Sequence, residues 1–171
     1  MNSAKSIARI LYYICLVLAI FYLATILYAV FCLLTRWGIS PYGEGQYLHI
    51  NYPFTNAPFL NIDNNPSYII FSFLLPLSLY GVFFWLAANV FKVFFQSKLF
   101  TQQNIFNLRR FYMLNLIVPG IAAILASIFV PIESAIWVLV VVHGMLGIFT
   151  YFLAAIFKQG LNLQNEQDLI I

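Results

Sequence analysis

The pattern of apolar and polar residues divides the chain into four long stretches without a charged side chain, separated by short polar connections. A helix needs about 20 predominantly apolar residues to cross the hydrocarbon core of a bilayer, and each stretch supplies them. The predicted spans are residues 10–35, 68–91, 111–131 and 135–157. The pattern therefore predicts an all-α integral membrane protein, a four-helix transmembrane bundle that forms a single domain over residues 1–171.

Composition supports this class of protein. Charged residues are 8% and hydrophobic residues 63% of the chain, whereas about a quarter of a soluble globular domain is charged. The first stretch is too long for the apolar region of a secretory signal peptide, so we expect a retained anchor. Cys15 and Cys32 would lie about 25 Å apart along the first helix, which is too far for a disulfide between them.

Cations are unevenly distributed between the two sides of the predicted bundle. If the spans alternate in direction, one side holds Lys5, Arg9, Lys92, Lys98, Arg109, Arg110 and Lys158, and the other holds Arg36. Positive charge in short loops stays cytoplasmic. We therefore expect a multi-pass protein of the plasma membrane with both termini inside, an external loop at 36–67, a cytoplasmic loop at 92–110 and a cytoplasmic tail at 158–171. Because orientation in the lipid bilayer explains the cations, no direct binding of nucleic acid is expected.

The external loop is rich in proline, asparagine and aromatic residues. Residues 46–54 (QYLHINYPF) alternate loosely and could form a short strand, which Pro53 would confine to an edge or a strand end. We expect a compact cover on the mouth of the bundle, and a ligand-sensing role stays open. His49 has no partners at metal-ligand spacing, so neither a metal site nor a cofactor is predicted.

Local signals predict how the helices begin, bend and end. Ser67 is a candidate N-cap of the second span, and Thr101 is one for the helix that leads into the third. Pro76 lies inside the second span and should kink it. Small residues of the third span, among them Gly120, Ala123 and Ser127 and the pair Ala122 and Ala126, predict close packing against another helix. Gly160 is a candidate C-cap of the fourth span.

No Asp, Glu, Lys or Arg lies in the core of any span. The usual proton or ion relay of a transporter is therefore missing. Motifs of metalloproteases, serine hydrolases and nucleotide-binding loops are also absent from the sequence, so no catalytic residue and no enzyme activity are predicted. The alternative function is a small transporter or channel-like subunit that works as a homo-oligomer, with Asn115 and His143 along its path.

His143 is the most informative polar residue within the spans. It lies roughly 13 Å from the outer end of the fourth span. Thr25 has a similar depth in the first span, and Pro76 lies close to that depth in the second. We expect His143 to hydrogen-bond Thr25 or the backbone freed at Pro76, and a pH- or ligand-sensitive switch is the alternative. Asn115 and Asn89 could pair with each other or with headgroups.

Two segments carry a family resemblance. The first is 98–101 (KLFT) with Asn104 and 108–110 (LRR), and the second runs from Phe157 through 160–163 to 166–169 (EQDL). With the four-span layout, they resemble the bacterial membrane family catalogued as domain of unknown function 2975. Ile170 stands where that family would have Thr. The resemblance implies no established activity, and it implies a small cytoplasmic helix-turn-helix regulator as partner.

Both segments face the cytoplasm in the predicted topology. The leading hypothesis is a non-enzymatic regulatory membrane module that tethers such a regulator. Its contacts would be Arg109, Arg110, Glu166 and Asp168, with a polar tail that docks on the partner. The alternative for these residues is binding of the basic loop to anionic lipid while the tail packs under the bundle.

Overall fold

Four long helices and a small sheet form the structure, a computed structural model that describes residues 2–168. The helices are α1 (Asn2–Thr35), α2 (Pro66–Val93), α3 (Gln102–Phe129) and α4 (Ser134–Asp168). Each helix is long and apolar enough to cross a membrane. Many of their large apolar side chains are exposed, as lipid-facing surfaces require. The four helices confirm the hydropathy-based prediction, while the sheet makes the fold mostly helical and not purely so.

The helices extend beyond the predicted spans. Helix α1 begins at Asn2, before the predicted start at residue 10, and α4 continues to Asp168. The C-cap predicted at Gly160 is therefore wrong, and residues 158–168 of the predicted tail continue the helix. Hydropathy marks the segment that matches the hydrocarbon, about 30 Å thick, but polar residues can continue a helix into water. At about 1.5 Å per residue, α4 is roughly 52 Å long.

The N-terminal caps are partly as predicted. Thr101 caps α3, because its hydroxyl accepts a hydrogen bond from the Asn104 amide at 3.2 Å. Ser67 is not the cap of α2, and that prediction is wrong. The carboxamide oxygen of Asn65 instead accepts from the Ser67 amide at 3.0 Å. Pro66 occupies the first turn, where its fixed φ suits a helix and its missing N–H costs no bond.

Helix α2 is irregular where Pro76 predicts a disturbance. Residues Ile69–Leu74 form a π-helical segment, and the Leu75 amide donates to the Ile70 carbonyl five residues back. Proline cannot donate a backbone hydrogen bond, and π-helical turns occur in helices as local widenings, often at functional sites. The disturbance lies in the turns before the proline and shapes the wall described below.

The loop between α1 and α2 folds into an antiparallel sheet of order β1-β2-β3. The strands are β1 (Ile39–Tyr42), β2 (Tyr47–Asn51) and β3 (Pro58–Asp63). The strand predicted within 46–54 is β2, and the two edge strands were not predicted. The inner side chains Leu48, Ile50 and Ile62 pack on Ala29 and Cys32 of α1. The Tyr28 hydroxyl also donates to the Asn51 carbonyl at 2.6 Å, so the sheet is fixed to the end of α1.

The helices pack mainly as two pairs. Helix α1 lies against α2, α3 lies against α4, and a contact of α2 with α3 joins the pairs. We call the end that carries the strands the sheet end and the end with residues 94–101 the basic end. A buried core near the basic end receives side chains from all four helices, among them Cys15, Val93, Leu108, Phe111, Ala154 and Phe157. The basic end is therefore closed by apolar packing.

Two glycines of α4 permit close contacts. A Cβ at Gly147 would lie 2.7 Å from Leu116 Cγ and 3.2 Å from the Leu116 amide nitrogen. A Cβ at Gly160 would lie 2.8 Å from three carbons of the Phe100 ring, whereas one at Gly144 would meet nothing within 4 Å. Gly160 therefore serves packing under the bundle, and Gly147 lets α3 and α4 approach closely.

Candidate functional site

An open cavity of about 420 Å³ lies in the sheet-end half of the molecule, between α2, α3 and α4. Its volume is within the range of small-molecule sites. Most of the lining is apolar or aromatic, with a few polar groups. The lining residues that carry the argument are Asp63, Ser72, Tyr80, Ala122, Glu133 and His143.

Prolines and small side chains make room for this cavity. Pro76 of α2 and Pro119 of α3 both line it, together with Ala122, Ala123 and Ala126. The alanines belong to the small-residue face that was predicted to pack tightly against another helix. Ala123 and Ala126 are buried, yet their small volume leaves an unfilled space beside α2. Pro76 and the π-helical segment shape the opposite wall.

Two carboxylates line the sheet-end side of the cavity, which we call its mouth. Asp63 ends β3, and Glu133 lies in the turn between α3 and α4. Glu133 also precedes the first turn of α4, where negative charge is favourable next to the helix dipole. Within the described part of the chain, residues 2–168, no Lys or Arg lines the cavity. The mouth is therefore negative, while most of the remaining lining is apolar or aromatic.

His143 lines the side of the cavity away from the two carboxylates, which we call its floor, and it is joined to a buried amide. His143 Nδ1 lies 2.7 Å from Asn115 Oδ1. The Asn115 Nδ2 donates to the Phe111 carbonyl at 2.8 Å, which fixes Oδ1 as the atom that faces the imidazole. Since Oδ1 can only accept, Nδ1 must carry a hydrogen. In the neutral imidazole, Nε2 is then an acceptor that remains available to a ligand.

Aromatic rings hold the imidazole in place. The Phe83 ring lies edge-to-face with His143 at a centroid distance of 5.2 Å, and the Tyr80 ring lies at 6.1 Å. Both aromatic residues also line the cavity. The histidine is therefore a fixed polar group in an apolar wall, as expected of a group that orients a ligand.

Residues 44–171 match the family described as "Protein of unknown function (DUF2975)". The chain belongs to this family. The match confirms the resemblance drawn from residues 98–110 and 157–169, and every residue that lines the cavity falls within it. No curated protein and no solved structure matches the chain. Membership in the family, together with four membrane-length apolar helices, makes this a multi-pass membrane protein of unknown function.

The polar contacts predicted within the spans have other partners in the structure. Thr25 is buried on α1, whose main contact is with α2, and it is not the partner of His143. Asn89 donates to the Trp85 carbonyl of its own helix and does not pair with Asn115. The sequence gives the position of His143 and Thr25 along their helices, but it does not reveal which face of the helix each residue occupies. Asn115 was predicted to make a polar contact within the spans, but its partner His143 was not predicted.

The four predicted partner-binding residues do not form one cluster. Arg109 and Glu166 are exposed. Gly160 meets Phe100, Glu166 lies about 9 Å beyond this contact along α4, and Arg109 lies about 10 Å into α3 from its start. The two side chains are thus separated by roughly 20 Å along the helices. Asp168 is the last residue of α4.

Arg110 has aromatic contacts of its own. Its guanidinium lies 5.6 Å from the centroid of the Phe106 ring and 6.0 Å from that of Trp85. Both rings are about half exposed. An arginine above exposed aromatic rings near the end of an apolar helix is typical of a membrane interface. Arg110 therefore has a structural role that Arg109 lacks.

The cavity itself was missed by sequence reasoning. Asp63 and Glu133 were visible as isolated acids on the side with few cations, and Pro76 and Pro119 were visible inside spans. No rule of spacing joins these four positions, because they come from four separate segments. The usable signal was the combination of interrupted helices with a polar residue at mid-depth, which in membrane proteins points to a binding site.

Proposed function

We propose that this protein is a non-enzymatic receptor module of the plasma membrane. It takes up a small molecule in the cavity from the outside and presents its basic end to a cytoplasmic partner. The observation that carries the proposal is the cavity, with its acidic mouth, its apolar and aromatic wall and the fixed imidazole at its floor. Such a combination of apolar surface with few polar groups is typical of ligand sites.

The orientation follows from the cations. Seven of the eight Lys and Arg residues belong to the side of the basic end, which supports a cytoplasmic position for that side and an external position for the sheet end. The cavity then opens outward, and the packed core around Val93, Leu108 and Phe157 closes the inner side. A closed inner side fits a receptor that binds its ligand from outside better than a transporter that lets the ligand through.

The cytoplasmic output would use exposed charges at the basic end. Arg109 and Glu166 are free to contact a partner, and Asp168 ends the helix that carries Glu166. Because Arg110 is engaged with Phe106 and Trp85, we assign it to the membrane interface. The proposed partner is a small helix-turn-helix regulator, held at the membrane by the projecting end of α4 in a helix-in-groove contact.

A transport subunit is the second candidate. The observation that favours it is the position of the His143–Asn115 pair at the floor of a cavity that is open on one side. In this case a homo-oligomer would complete the path. Flux of a bound solute into proteoliposomes that contain only this protein would favour transport, whereas binding without flux supports the receptor.

The ligand site is tested by filling the cavity. We would reconstitute the protein in lipid nanodiscs and measure binding of the neutral probe 4-phenylbutanol by equilibrium dialysis, with empty nanodiscs to correct for partition into lipid. Ala122→Phe places a ring in the cavity. Its matched control is Ile121→Phe, because the neighbouring Ile121 is 53% exposed on the lipid side.

The expected result is the same Kd for the wild type and Ile121→Phe, and at least tenfold weaker binding to Ala122→Phe. Equal binding to all three proteins, or no binding to the wild type above empty nanodiscs, would contradict a ligand site in the cavity.

The partner contact is tested by crosslinking from membranes. The tether is supported if a helix-turn-helix protein is recovered with the wild type and with Arg110→Gln. Its recovery should be weaker with Arg109→Gln and should be lost when residues 161–171 are deleted. Recovery that is independent of the tail would contradict it.

A further inference from the structure

We infer that the ligand of the cavity is an organic cation, an ammonium group on an apolar body of about the size of one aromatic ring and a short chain. The inference rests on the proposed function, since it specifies the ligand class of the same cavity. It is carried by the charges at the mouth, the rings along the wall and the hydrogen-bonding state of the floor.

The charges at the mouth have one sign. Asp63 and Glu133 line the mouth, and among the residues that the structure describes no Lys or Arg lines the cavity. Among the described residues 2–168, neither carboxylate forms a hydrogen bond or an ion pair. Two unpaired carboxylates next to an apolar space attract a cation and repel an anion, because low-dielectric walls focus the field at the entrance.

The wall suits a cation with an apolar body. Four aromatic residues line the cavity between the mouth and the floor, namely Tyr68, Phe71, Tyr80 and Phe83. Aromatic faces attract ammonium groups through their quadrupole and provide apolar contact for the rest of the ligand. Among the described residues, no group of three or more His, Cys, Asp or Glu side chains could hold a metal ion, so an organic cation fits better than an inorganic one.

The floor offers nothing that would hold an anion. The Nδ1 hydrogen of His143 is donated to Asn115 Oδ1, and the Asn115 Nδ2 is donated to the Phe111 carbonyl. With these donors used, the neutral imidazole presents only the acceptor Nε2. An acceptor binds N–H or O–H groups, which an amine or a hydroxylated amine carries and a carboxylate ligand does not.

The inference is tested with three probes that share one body and differ in charge. These are 4-phenylbutylamine, which is protonated at neutral pH, neutral 4-phenylbutanol and anionic 4-phenylbutyrate. Binding is measured in nanodiscs of zwitterionic phosphatidylcholine, so that the lipid itself carries no net charge. We expect the amine to bind about tenfold more tightly than the alcohol, which corresponds to ~1.4 kcal/mol, and the carboxylate to bind least.

The carboxylates are then neutralised together. The double variant Asp63→Asn/Glu133→Gln should lose the preference for the amine and keep the Kd of the alcohol. Glu44→Gln is the matched control, because Glu44 is an exposed acid of the same end that does not line the cavity. Raising the salt concentration with the unmodified protein gives a second measurement that needs no variant. The preference should shrink at about 1 M salt, where the Debye length is about 3 Å.

The outcomes separate this inference from the proposed function. Equal Kd values for amine and alcohol, or a preference that survives both the double variant and high salt, would overturn the inference. If Ala122→Phe still abolishes binding of the alcohol in that case, the cavity remains a ligand site of another class. Failure of all three probes to bind would contradict the proposed function together with the inference.

Discussion

The imidazole of His143 and the carboxamide of Asn115 meet at 2.7 Å between α4 and α3, at the floor of the cavity. The amide is fully buried and the imidazole is partly buried. Each satisfies a polar group of the other inside an apolar bundle, where an unpaired polar group is costly. The contact joins the two helices at the level where Gly147 lets them approach, and it also fixes the hydrogen-bonding character of the floor.

A double-mutant cycle measures this contact. We expect His143→Leu and Asn115→Leu to couple by about 0.6 to 1.7 kcal/mol, the range found for hydrogen bonds between membrane helices. Each single variant should destabilise more than the coupling alone, since it leaves the other partner unsatisfied. The measurement is the free energy of unfolding in mixed micelles for all four proteins. Strict additivity of the two substitutions would show that the contact contributes nothing.

The three glycines of α4 predict different changes in stability when each is replaced by alanine. Gly160→Ala should destabilise because its Cβ meets the Phe100 ring, and Gly147→Ala should destabilise more because the backbone of Leu116 cannot move as a side chain can. Gly144→Ala is the control, with nothing within 4 Å. It should be neutral or stabilise by up to about 1 kcal/mol, the difference in helix propensity.

Midpoints of thermal unfolding in one detergent check the order of the three proteins. Equal midpoints for Gly144→Ala and Gly147→Ala would contradict the close approach of α3 and α4. The further variant Phe100→Leu should relieve the Gly160→Ala defect, since a smaller and more flexible side chain leaves room for the new methyl group.

Two substitutions at the start of α2 distinguish the N-cap residue Asn65 from its neighbour Ser67. Asn65→Ala should cost about 1 kcal/mol of stability, because the helix loses the side chain that accepts from the Ser67 amide. Ser67→Ala should be nearly neutral, since Ser67 contributes its backbone amide to this bond. The same unfolding measurement applies to both, and a larger effect at Ser67 would restore the cap that the sequence alone suggested.

Hydropathy was sufficient to locate the four helices, because a membrane leaves a continuous apolar run for each crossing. Hydropathy did not locate the ends of these helices. Helix α1 begins before Arg9, and α4 continues past Gly160, because residues outside the hydrocarbon need not be apolar to stay helical. The Thr101 cap was predictable, since it depends on local covalent chemistry, whereas the π-helical segment Ile69–Leu74 before Pro76 was not predicted.

The sheet and the cavity depend on relations between distant segments. Strands β1 and β3 are short, contain Pro41 and Pro58, and become strands by pairing with β2. Similarly, Asp63 and Glu133 line one side of the same cavity because the sheet is fixed to α1 and α4 folds back on α3. A single sequence gives the depth of His143, but the rotation of α4 that turns it toward Asn115 is set by packing around Gly147.

Cysteine accessibility tests most directly the proposal that the cavity opens to the outside. Ser72→Cys places a thiol in the cavity, and Ser97→Cys places one on the exposed loop of the basic end. The native Cys15 and Cys32 are buried, and the unmodified protein serves as the background. On intact cells, a membrane-impermeant maleimide should label Ser72→Cys, while Ser97→Cys should react only after the membrane is permeabilised. Labelling of Ser97→Cys on intact cells, or no labelling of Ser72→Cys from outside, would contradict the account.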